Sequence, residues 1–191
     1  MPMDFKTLVK KTRSVRRFYE SVPVAKQDII DLIDLARIAP SGRNLQPLKY
    51  FYSNTKTLNG KIFPTLRWAG YLENWSGPEE GERPAAYILV LKDNKIKEKD
   101  TIDHGFATQN ILLGANEKGW GTCVLKSFDE VELGKILNIP GHLEISLAIA
   151  LGKPAENVKL EKLENGDIKY WRDEEGVMHV PKRSLKEIIL D

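Results

Sequence analysis

Tyr87-Ile88-Leu89-Val90-Leu91 is an unbroken apolar run with no polar face to offer water. A run of this kind predicts a strand buried on both faces, at the centre of a sheet. Moving toward the C-terminus, Thr101 to Lys118 reads as a long helix with Ile102, Phe106, Ala107, Ile111, Leu112, Leu113 and Ala115 spread over most of its sides. Such a helix belongs in a core or a subunit interface, and Gly119 closes it. Gly121–Leu125 and Ile145–Leu151 read as further strands. Between them Ser127-Phe128-Asp129-Glu130 has the pattern of a capping box opening a helix to about Leu137. Toward the N-terminus lie a weaker helix over Thr55–Leu66, broken by Gly60 and Pro64, and a short aromatic strand over Leu48–Ser53. A helix from Lys26 to Ile38 precedes them, stopped by Pro40 and Gly42. The first helix carries Phe5, Leu8 and Val9 at helical spacing behind Asp4 as N-cap, and fades into Arg13–Phe18.

Beyond Lys153 the chain becomes charged and turn-rich. Ile168–Trp171 and Val177–Val180 flank Glu174-Glu175-Gly176 as a hairpin, and Ser184-Leu185-Lys186-Glu187 is a second capping box. Helices and strands mix without strict alternation, so the expectation is α+β in one domain spanning residues 1–191.

Charge excludes some partners. The net charge of +2 comes from 29 basic and 27 acidic residues, too balanced for a broad nucleic-acid-binding face. Cys123 is the single cysteine, which rules out an intrachain disulfide and fits a reducing compartment. No apolar stretch approaches the roughly 20 residues a membrane span needs. Met1-Pro2-Met3-Asp4 lacks the features of a signal peptide, so a cytoplasmic location is expected.

Four segments carry groups suited to chemistry. In Arg13-Ser14-Val15-Arg16-Arg17, guanidinium groups surround a hydroxyl, a set that suits a phosphate or a developing anion and equally suits a solvated basic turn. Pro40-Ser41-Gly42, with Asn44 and Gln46, lets backbone approach a flat heterocycle and offers amides to its edge; it also reads as an ordinary helix-to-strand loop. Lys126-Ser127 ends a strand before a helix, where the backbone N–H of Lys126 is a free donor and the Ser127 hydroxyl reads as a cap. Lys182-Arg183 precedes the last helix, a placement that suits phosphate or simply solvent. The three histidines show no metal-ligand spacing, and no phosphate loop, dinucleotide fingerprint or nucleophile elbow is present. Cys123 reads as a small buried hydrophobe.

Taken jointly and in order, these segments resemble the FMN-dependent nitroreductase family. The pieces are Arg13-Ser14-Val15-Arg16-Arg17-Phe18; Ala39-Pro40-Ser41-Gly42 with Asn44, Gln46 and Pro47; Ala107–Leu113 with Gly119–Cys123; Leu151–Glu156; and Pro181-Lys182-Arg183. The resemblance implies a central, mostly antiparallel sheet flanked by helices, in an interlocked homodimer with FMN at the interface and NAD(P)H as co-substrate. It implies that Arg13 and Ser14 hold the phosphate and ribityl end, and that Arg16 faces the N1/C2-carbonyl edge of the flavin. Pro40, Ser41, Gly42 and Asn44 would come from the partner subunit. The Lys126 amide, next to Ser127, would approach flavin N5, while Lys182 and Arg183 grip the phosphate. Two departures stand out. Thr12 replaces an arginine common in the family, and a hairpin at about 160–180 is inserted relative to shorter members. The substrate lid would be Arg67–Arg83, with Trp68, Tyr71 and Trp75 as pocket aromatics.

The implied activity is ping-pong hydride transfer from NAD(P)H through the flavin to a nitroaromatic, quinone or similar acceptor, with no obligatory side-chain acid. The alternatives are a relative with dehalogenase-type flavin chemistry, and a flavin carrier or redox sensor without turnover. A phosphometabolite-binding domain without flavin stands further off.

Overall fold

The computed structural model describes residues 3–99 and 101–190; the leader reading at Met1 and Pro2 lies outside them. Four antiparallel strands form the main sheet: β1 (Leu48–Ser53), β2 (Ala86–Asp93), β3 (Gly121–Leu125) and β4 (Leu143–Gly152), in the spatial order β1-β2-β4-β3. Every residue of β2 is buried, so the apolar run at 87–91 does occupy the interior of the sheet.

Alternate β2 side chains feed two layers, as strand geometry requires. Ile88 and Val90 pack with Ile149 and Leu151 of β4 against Ile29, Leu32 and Ala36 of α2 (Lys26–Arg37) and Ala107, Ile111 and Ala115 of α4 (Asp103–Glu117). Leu89 and Leu91 face the other layer. There they meet Ile62 of α3 (Lys56–Ile62), Leu133 of α5 (Glu130–Ile136), Trp68, and Phe18 from the stretch after α1 (Phe5–Lys11). Asp4 caps α1 as the sequence predicts, accepting a bond from the Thr7 N–H at 3.1 Å. Gly119, at φ +78°, turns the chain out of α4 in a conformation that glycine adopts freely.

The capping box at Ser127 is corrected. Asp129 caps α5, accepting from the Glu132 N–H at 2.9 Å. Residues 127–129 are instead drawn out alongside 65–67, where Arg67 donates to the Ser127 carbonyl and Asp129 to the Thr65 carbonyl. This tertiary pairing postpones the helix by two residues.

A second sheet of three strands follows: β5 (Val158–Lys162), β6 (Trp171–Arg172) and β7 (Met178–Lys182). The hairpin at Glu174–Gly176 is present, but the sequence reading omits β5, which pairs parallel with β7. Ser184 forms its capping box with Glu187 and opens α6 (Leu185–Ile188). No helix among the described residues is long and apolar enough to cross a membrane.

Candidate functional site

Leaving α1, the chain crosses to β3 and runs beside it in extended form. The Val15 N–H donates to the Thr122 carbonyl at 2.8 Å, and the Tyr19 N–H to the Lys153 carbonyl at 2.8 Å. Two glycines make this close seating possible. A Cβ on Gly121 would lie 3.1 Å from Val15, and one on Gly152 would lie 3.0 Å from Phe18. The outcome is a cleft of ≈ 310 Å³ whose walls include Thr12, Arg13, Ser14 and Arg16, Gln109 of α4, Thr122 and Val124 of β3, and Tyr170, Val180 and Lys182 from the C-terminal part.

Three cations line this cleft and no carboxylate does, among the described residues. Arg13 donates from Nη2 to the Val9 carbonyl at 3.0 Å, while its buried Nε has no partner. Burial draws its pKa below the ordinary arginine value. Arg16 is 9% exposed, its Nη1 is unpartnered, and its guanidinium sits 4.3 Å from the centre of the Tyr170 ring. The Arg16 backbone N–H donates to Glu156, whose other carboxylate oxygen holds Arg172 at 2.9 Å. Arg17 turns away to pair with Glu82 at 3.1 Å. Buried donors without partners are costly, and here they belong to residues lining a cationic cleft, so the donor set fits a phosphorylated, electron-poor heterocycle.

The 40–47 loop lies elsewhere. Pro40 and Ser41 line a separate hollow of ≈ 160 Å³ with Gln46, Tyr50 and Asp103. Asp103 braces the loop: Ser41 Oγ donates to it at 2.7 Å, and the Gly42 N–H donates at 3.2 Å. Ser41 Oγ also accepts from the Gln46 N–H at 2.9 Å, so this hydroxyl is engaged within the chain. Burial raises the Asp103 pKa, but the Ser41, Thr101 and Gly42 bonds outweigh it and hold the carboxyl below its usual range. Arg43, Asn44 and Gln46 all have positive φ, at 56°, 57° and 53°. Three non-glycine residues in the left-handed region within four positions mark a strained, over-determined loop.

The other predicted residues divide. Lys182 joins the cleft, whereas Arg183 faces a neighbouring hollow and pairs with Glu187 at 3.6 Å. Lys126 and Ser127 are exposed beyond the cleft walls, and Lys126 Nζ donates to the Ser146 carbonyl at 2.7 Å. Trp68 is buried in the core, with its ring 5.9 Å from Phe63, and a Cβ on Gly77 would lie only 2.8 Å from it. Tyr71 is exposed and reaches the cleft through Tyr170, at 5.1 Å between ring centres. Trp75 lies 4.9 Å beneath the Arg172 guanidinium. Cys123 is buried behind the cleft floor, and burial pushes its thiol up to about 11. No group of three or more His, Cys, Asp or Glu is placed to hold a metal ion among the described residues. Gln109 and Tyr170 line the cleft without a signal of a ligand role in the sequence. Gln109 sits inside a continuous helix, and Tyr170 reaches the cleft only through the fold of the second sheet.

Helix–sheet–helix layers with a cationic cleft beside the outer strand define a class of α+β protein. The profile of the Nitroreductase family matches residues 9–153, and the chain belongs to that family. The iodotyrosine deiodinase of Thermotoga neapolitana is 27% identical, over 77% of this chain and 87% of that protein. The 4-nitrobenzoate reductase of Pseudomonas putida is 23% identical, over 84% and 89%. The crystal structure of a nitroreductase family protein from Clostridium difficile 630 superimposes with a TM-score of 0.69 at 21% identity, covering 98% of both chains, and shares the fold.

Proposed function

We propose that this chain is an FMN-dependent, cytoplasmic NAD(P)H oxidoreductase acting as a homodimer on a nitroaromatic, quinone or similar acceptor. When bound, FMN supplies two-electron chemistry at N5, in a ping-pong cycle between nicotinamide and acceptor. The observation that carries the reading is the acid-free cleft with buried, unpartnered arginine donors in a chain of this family. In it Arg13, Ser14 and Lys182 bind the phosphate end, and Arg16 presents positive charge to the edge where negative charge develops. In this reading Pro40, Ser41, Gly42 and Asn44, which are not among the cleft's walls, serve the partner's site. The Ser41 hydroxyl is engaged with Asp103, so the backbone of this loop is the surface we assign to the contact. Lys126, Ser127 and Arg183 complete the proposed contacts from the rim. The named activity of the Pseudomonas putida relative supports nitroaromatic reduction.

Anaerobic stopped-flow of FMN-loaded protein tests this. NADH or NADPH is expected to bleach the bound flavin far faster than free FMN; bleaching no faster than free FMN defeats the nicotinamide half-reaction. The deiodinase relative supports a second reading, dehalogenase-type chemistry under the Arg67–Arg83 lid. Turnover of halogenated but not nitrated aromatics would favour it.

A further inference from the structure

Arg16 is held in the cleft by an aromatic face. A buried guanidinium ordinarily takes a carboxylate to its N–H groups. Here the carboxylate that touches this residue, Glu156, is taken by the Arg16 backbone N–H and by Arg172. Tyr170 supplies an aromatic contact, 4.3 Å from the guanidinium carbon to the ring centre. A cation–π contact holds the guanidinium over the ring without taking an N–H donor, consistent with the unpartnered Nη1.

Tyr170 is itself held from several directions. Its ring packs at a tilt against Tyr71, the next residue Trp171 stacks on His179 at 4.9 Å, and Arg172 is anchored on Glu156 at 2.9 Å. All of this lies beyond residue 153, where the family match ends, apart from Tyr71.

We infer that Tyr170 is a positioning residue that fixes the Arg16 guanidinium by its ring face, so that the donors of Arg16 stay free for the bound cofactor. The inference rests on the flavin reading above. The ring face is the operative element and the phenolic hydroxyl is dispensable.

The test compares wild type, Tyr170→Phe and Tyr170→Leu by FMN titration, followed by flavin fluorescence, and by the midpoint potential of bound FMN. Tyr170→Leu is expected to weaken FMN binding about two- to thirty-fold, the range of one cation–π contact. It should also move the potential to more negative values, because positive charge is no longer fixed where negative charge develops. Tyr170→Phe keeps both properties near wild type. A leucine variant equal to wild type in affinity and potential overturns the inference. So does a phenylalanine variant that falls as far as leucine. Wild type that takes up no FMN removes the flavin reading and the inference together, whereas uptake that all three share equally removes the inference alone. If Tyr170→Leu does not fold, Tyr170→Gln replaces it as the ring-free variant under the same criteria.

Discussion

Every residue of β2 is buried, whereas Met178 is the one buried residue of the three strands β5, β6 and β7. The four-stranded sheet is held by apolar side chains on both faces, a non-directional force proportional to area. The three-stranded sheet is held by particular pairs. His179 bonds Glu161 at 2.7 Å through Nδ1 and Asp173 at 2.9 Å through Nε2, Trp171 stacks on His179, and Arg172 reaches Glu156. One sheet therefore depends chiefly on buried apolar area, with a single Lys92–Glu144 pair at 3.0 Å between β2 and β4. The other answers to charge, and it carries Lys182, with Tyr170 just before β6, into the cleft.

Deleting the Leu89 side chain, which is fully buried, breaks the comparison on the apolar side. Leu89→Ala is expected to cost about 2–5 kcal/mol, read from urea unfolding, with no added pH dependence. On the ionic side, Arg172→Met leaves the Glu156 carboxylate, 1% exposed, without its cation. Removing one partner of a buried pair costs about 3 kcal/mol, and the loss is expected to appear as faster hydrogen exchange in residues 158–182.

The smallest effect is also the most selective. Asp173 first and Glu161 second raise the His179 pKa above its ordinary value, while the His179 bond holds Asp173 below the usual carboxylate range. Because the folded His179 pKa is raised, its contribution is complete below the unfolded value of about 6.5 and is lost as pH rises through the raised value. The Asp173 contribution runs the opposite way, and is lost as pH falls through its lowered pKa. Amide protection of Val158–Lys162 should therefore peak between the two, while that of Tyr87–Leu91 stays flat. His179→Gln should flatten the alkaline side of the first profile, and equal profiles in both sheets would refute the contrast.

The same contrast explains what the sequence discloses. Gly121–Leu125 is the same strand in pattern and in structure, and the helix at Lys26–Arg37 differs from its reading by one residue, because buried faces impose a period on neighbouring residues. β5 shows no such period, with Lys159, Leu160 and Lys162 all exposed, so its parallel pairing with β7 has no local signature. Ser127 carries a cap's chemistry, but pairing with the remote Arg67 decides its backbone. At the candidate site, the basic Arg13, Arg16 and Lys182 and the hydroxyl of Ser14 are legible in the sequence, and all four residues line one cleft. The aromatic that grips Arg16, the unavailability of the Ser41 hydroxyl and the inward turn of Trp68 depend on packing between remote segments.

The stretch from Ser14 to Val15 that pairs with Thr122 has one more consequence. β3 ends the order β1-β2-β4-β3, and an outermost strand with unpaired amides invites a second molecule to add to it. The stretch that carries the cleft's arginines lies against that strand, with Ser14 and Val15 beside Thr122, and so occupies part of the edge at which a second molecule would add.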